Sequence, residues 1–80
     1  MVNDMTLADL KIGESAYIKD VGGDGALRRR LLDMGLTPKT KVLLKKTAPL
    51  GDPLELFLRG YELTLRKEDA KNIKVERVGE

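Results

Sequence analysis

Apolar positions along this chain recur at two spacings, and the switches between them mark out its elements. Up to Gly13, in MTLADLKIG, Leu7 and Leu10 stand three apart and Thr6 is placed to cap a short helical turn that leads into a strand. From Ser15 to Val21 the run SAYIKDV alternates, with Ala16 and Ile18 on one face and Tyr17 and Lys19 on the other, the period of a half-buried strand. Gly22, Gly23 and Gly25 then break the pattern. In ALRRRLLDMG, Leu27, Leu31 and Met34 recur at i, i+4 and i+7, which predicts a helix of about ten residues. Asp24 can cap its start. Gly35 stands where a left-handed residue would close it, Leu36 can reach back to Leu31, and Pro38 prevents continuation.

After Pro38 the period returns to two, in TKVLLKKT, LELFLR, YELTLR and NIKVERV. The alternation turns Leu54, Leu56 and Leu58 inward with Glu55, Phe57 and Arg59 outward, and it turns Tyr61, Leu63 and Leu65 inward. Gly60 marks a tight hairpin. RKEDAK, without an apolar stripe, reads as one helical or 3₁₀ turn. Five strands with one helix between the first two predict a small, mainly β domain: a bent antiparallel barrel.

Eighty residues make one domain, expected to span 1–80, with little core to spare for an internal cavity. The hydrophobic share of 41% beside a charged share of 35% is that of a folded soluble domain. Composition bears hardest on chemistry: there is no cysteine and no histidine. That removes thiol nucleophiles, imidazole bases, disulfides, and zinc or iron sites built on sulfur or nitrogen ligands. No catalytic residue, cofactor site or metal site is therefore assigned, and an enzyme is not expected. Fifteen Lys and Arg against thirteen Asp and Glu are interleaved, too balanced to argue for nucleic acid. No window approaches a membrane span, and Met1-Val2-Asn3-Asp4 does not open a signal peptide, so the cytosol is the expected compartment.

Candidate motifs each have a plainer reading. GGDG before the helix resembles a phosphate loop but matches neither GxGxxG nor GxxxxGK[ST], so it reads as a turn. Arg28, Arg29 and Arg30 fan out at about 100° per residue, and Asp33 lies four residues after Arg29, in reach to neutralise it. Leu32 lies off the apolar stripe beside Arg28, either widening the buried face or exposed. Glu68-Asp69 sits among lysines without calcium-loop spacing. Phe57, on the face opposite Leu54, Leu56 and Leu58, is a candidate exposed apolar contact, unless both faces of its strand are covered.

The run LRRRLLDMGLTP, the loop APLGDPLE, the segment LTLRKEDAKNIKV and their order resemble the FeoA family of ferrous iron transport proteins, over about Leu7 to Val78. The resemblance implies an SH3-like β-barrel. It also implies a cytosolic accessory protein of bacterial ferrous iron uptake that acts through the FeoB transporter and its cytosolic GTP-binding domain, meeting the membrane only through that partner. The family's RLL motif falls on Arg30, Leu31 and Leu32. On this reading Arg28, Arg29 and Leu32 are exposed partner contacts, Leu31 supports them from the core, and Phe57 is a further contact. Pro49, Gly51, Asp52 and Pro53 rigidify a loop, with Asp52 able to satisfy nearby backbone amides. Exposed Phe57 or Leu32 could equally serve self-association. Two alternatives stand beside the adaptor: an SH3-like regulatory domain of a metal-dependent repressor, and a small nucleic-acid-binding barrel, which the scarce aromatics count against.

Overall fold

The computed structural model describes residues 5–77. Six strands form one antiparallel sheet: β1 (Met5–Thr6), β2 (Ser15–Val21), β3 (Lys41–Thr47), β4 (Leu54–Leu58), β5 (Tyr61–Leu65) and β6 (Ile73–Arg77). A 3₁₀ turn follows β1 at Leu7–Asp9, helix α1 (Gly25–Asp33) lies between β2 and β3, and a one-turn helix α2 (Lys67–Ala70) precedes β6. Strand order is β1-β6-β2-β3-β4-β5.

Two expectations change here. The segment before Leu7 contributes a sixth strand, because Met5 and Thr6 pair with Val75 and Lys74. Two residues carry no period, and their partner lies at the other end of the chain. The sheet is also open: β1 and β5 are its two edges and do not pair, so the expected barrel is not closed by hydrogen bonds.

One apolar cluster fills the inner face. Alternation delivers Leu54, Leu56 and Leu58 from β4, Val42 and Leu44 from β3, and Ala16, Ile18 and Val21 from β2; Leu31 and Leu36 enter from α1 and the residues after it. In β2 the last two of the three buried residues, Ile18 and Val21, are three apart because the pairing with β6 shifts between Ile18 and Asp20. The extra residue keeps Lys19 and Asp20 both in solvent. Tyr61 departs from its predicted inward position. It is 41% exposed, because its hydroxyl reaches out to donate to the Met34 carbonyl, while Leu63 beside it is half-buried and Leu65 buried.

Candidate docking surface

Helix α1 is built as its sequence requires. The Asp24 carboxylate accepts from the Leu27 amide at 2.8 Å, one of the amides a helix start leaves without a partner. At the other end the Gly35 amide donates to the Leu32 carbonyl at 3.0 Å and the Leu36 amide to the Leu31 carbonyl at 3.2 Å. This paired closure needs a left-handed residue, and Gly35 has φ +97°. A Cβ at Gly35 would also collide with the Tyr61 hydroxyl.

Three contacts tether α1 to the body of the protein. Arg28 Nε donates to the Val21 carbonyl at 3.1 Å, Arg30 Nη2 bonds Asp69 Oδ2 of α2 at 3.0 Å, and Tyr61 Oη donates to Met34. The arginine triplet thus divides by role. Arg28 and Arg30 hold the helix to strand and helix neighbours, whereas Arg29 points into solvent with no ion pair or hydrogen bond among the described residues. The expected Arg29–Asp33 pairing is not formed: both side chains are exposed, where an ion pair gains little over hydration. Leu31 is fully buried. Leu32, expected as an exposed contact, is half-buried and packs against the core edge.

Phe57 is 39% exposed but lies on the outer face of β4, whereas Leu31 packs on the inner one. The four predicted contacts and Leu31, their support, therefore occupy two sides of the sheet. Beside α1, a polar groove of about 440 Å³ runs between Arg30 and Met34 on one wall and Leu65, Arg66 and Glu68 on the other.

The loop from Ala48 to Pro53 is folded on itself. Gly51 donates to the Ala48 carbonyl at 2.7 Å, Ala48 donates to the Pro53 carbonyl at 3.1 Å, and the Asp52–Pro53 peptide is cis. Asp52 Oδ1 accepts from the Lys67 amide at 2.8 Å. Since Arg66 makes no side-chain cap, Asp52 caps α2 from fifteen residues away. Between Pro49 and Gly51, both named from the sequence, Leu50 was passed over and is 93% exposed. Its signal was a large apolar residue set among turn formers, with no periodic neighbour to bury it.

Arg59 was also missed. It and Gly60 form a two-residue turn in which both have positive φ, 52° and 85°. From there Arg59 Nη2 donates to the hydroxyls of Thr37 at 2.8 Å and Thr40 at 3.0 Å, joining the β4–β5 hairpin to the chain that follows α1.

The FeoA domain family model matches residues 5–77, the whole described span. The chain belongs to the FeoA family. It is 39% identical over 72 residues to a Fe(2+) transport protein A/Fe(2+) transporter FeoB fusion protein of Porphyromonas gingivalis; these cover 90% of this chain and 8% of that protein. A solution structure of an FeoA-like protein from Clostridium acetobutylicum is 36% identical, with a TM-score of 0.89 over all of this chain and 93% of that one. FeoA of Stenotrophomonas maltophilia, a prokaryotic SH3-domain protein solved with zinc, is 29% identical with a TM-score of 0.79 over 90% of this chain and 89% of its own. This FeoA domain is accordingly SH3-like, in a family whose named relatives belong to ferrous iron transport. A manganese-dependent transcriptional repressor at 12% identity and a TM-score of 0.86, of which this chain covers 38%, shares the fold alone. No helix among the described residues is long and apolar enough to cross a membrane. Nor do those residues bring together three or more carboxylates in a metal-holding group.

Proposed function

We propose that this FeoA domain acts on the cytosolic face of the membrane, by docking on the GTP-binding part of a FeoB-type transporter and biasing that transporter's assembly or activity. The observation that carries the reading is the Porphyromonas relative, in which the homologous domain and the transporter share one chain. Covalent linkage holds two modules at high effective concentration, which favours a contact between them that is weak when they are separate. The exposed side of α1 is the proposed contact. Arg29 offers an unengaged guanidinium on a helix fixed at three points, so the backbone beneath it needs no further ordering when a partner takes it. Without histidine or cysteine the chain has no thiolate or imidazole ligand to carry iron, and a role on the transporter fits better than one on the metal.

Calorimetric titration against the purified GTP-binding domain tests this directly. Binding is expected, and Arg29→Glu should weaken it about tenfold or more while leaving the melting temperature within about 2 °C. Absence of binding by the unmodified chain, or indifference to Arg29→Glu in both titration and iron uptake, would sink the α1 docking model.

A further inference from the structure

Charges that alternate with apolar residues along the sequence are regrouped by strand pairing on the outer face of the sheet. Leu43 of β3 lies directly opposite Phe57 of β4, and Tyr17 of β2 lies opposite Lys41 of β3. Leu43 is half-buried, while Phe57 and Tyr17 are 39% and 43% exposed. A cavity of about 290 Å³ opens here, floored by Leu43 and Phe57 and flanked by Lys41 and Arg59. Its lining contains no acid.

The two flanking cations are electrically uncompensated. The Lys41 side chain has no ion pair or hydrogen bond among the described residues. Arg59 donates only to neutral oxygens, the hydroxyls of Thr37 and Thr40 and the Gly35 carbonyl. The nearby acids are either engaged or off to one side: Glu62 with Lys45, Glu55 with Lys46 at 3.9 Å, and Glu76 beyond Tyr17 on β6. An apolar floor between two cations that no carboxylate neutralises is complementary to an apolar side chain flanked by carboxylates.

We propose that this outer face of β2, β3 and β4 is a docking site for an acidic protein segment carrying an apolar side chain, seated on Leu43 and Phe57 between Lys41 and Arg59. The site lies across the sheet from α1 and is separate from the transporter contact assigned to Arg29. Two observations favour a protein segment over nucleic acid. The Phe57 ring has Lys45 Nζ over one face, 6.0 Å from the centroid, which leaves a single aromatic face where single-stranded bases need several stacking platforms in succession. Glu55, Glu62 and Glu76 interrupt any continuous track for phosphates across the face.

The test is an amide and methyl NMR titration of the full chain with a capped alternating glutamate–leucine peptide. Its lysine–leucine counterpart, polyglutamate and oligothymidylate are run in parallel. Saturable shifts confined to Tyr17, Leu43, Phe57 and their neighbours are expected with the glutamate–leucine peptide alone, weakening as salt is raised. Lys41→Glu, at an exposed position without partners, should lower the affinity about fivefold or more, Phe57→Ser should abolish the shifts, and Arg29→Glu should leave them unchanged. Three results overturn the proposal: no shifts at millimolar peptide, tighter binding of oligothymidylate at the same residues, or shifts at those residues that follow protein concentration without any peptide. The last would make the occupant a second copy of this chain.

Discussion

Tyr61 and Arg59, two side chains of one hairpin, fix where α1 ends, and Gly35 is the residue that lets them do so. Gly35→Ala must place a Cβ both at φ +97° and against the Tyr61 hydroxyl. The conformational cost alone is about 1–2 kcal/mol, and the collision adds to it. Gly13→Ala is the matched control: φ is +89° but nothing lies within 4 Å of the added Cβ. Urea unfolding should therefore show the larger loss at Gly35, and Tyr61→Phe in the Gly35→Ala background should recover part of it, a non-additivity that isolates the steric part. A second residue-scale prediction concerns Glu62. The hydrogen bond and the charge of Lys45, with a smaller contribution from Lys46, hold its carboxyl below the ordinary glutamate value of 4.5. A depressed carboxylate favours the folded state above its unfolded pKa and loses that effect as pH falls through the folded value. Glu62 is fully exposed, so its influence on stability is slight. The visible consequence is in the titration itself: carboxyl NMR should give a midpoint below 4.5 that rises in Lys45→Ala.

Each helix begins on an aspartate, one local and one remote. Asp24→Ala removes the α1 cap and should cost about 0.5–2 kcal/mol in chemical denaturation. Asp52→Ala should cost a similar amount through α2, and its effect should appear as faster amide exchange at Lys67, fifteen residues from the substitution. Leu31→Ala, which empties a fully buried site, should cost about 2–5 kcal/mol. At this scale the sequence was most legible where one element carries its own signal. Asp24, the Leu27/Leu31/Met34 stripe and Gly35 together announce α1, and alternation announces β2 and β4. The Asp52 cap on α2 and the β1–β6 pairing were not legible, because each joins groups far apart in the chain and neither leaves a periodic trace. Tyr61 misled for a related reason. Alternation assigns a side to a residue, and a hydroxyl that can reach a free helix-end carbonyl overrides it.

For the whole molecule, the candidate surfaces were only half visible beforehand. Phe57 could be read as outward-facing from its neighbours Leu56 and Leu58, but its companions Leu43, Tyr17 and Lys41 come from other strands and join it only through register. Likewise Arg28, Arg29 and Arg30 are equivalent in the sequence, and only the positions of Val21 and Asp69 show which of them is free. The two faces predict separable behaviour. A protein carrying both Arg29→Glu and Lys41→Glu should lose transporter binding and acidic-peptide binding together, with the two losses adding independently, since the sites share no residue.

The tethers on α1 also set a timetable. The helix is complete in sequence by Asp33, yet two of its three anchors, Tyr61 and Asp69, lie about thirty to forty residues further on, the Arg30–Asp69 separation being 39. An isolated nine-residue helix is marginal in water. On an emerging chain α1 therefore has only its Asp24 cap and its Arg28 tether until β5 and α2 have been made. Protection of the Arg30 to Met34 amides in pulsed exchange should accordingly appear with that of α2 rather than with the turn that opens the helix.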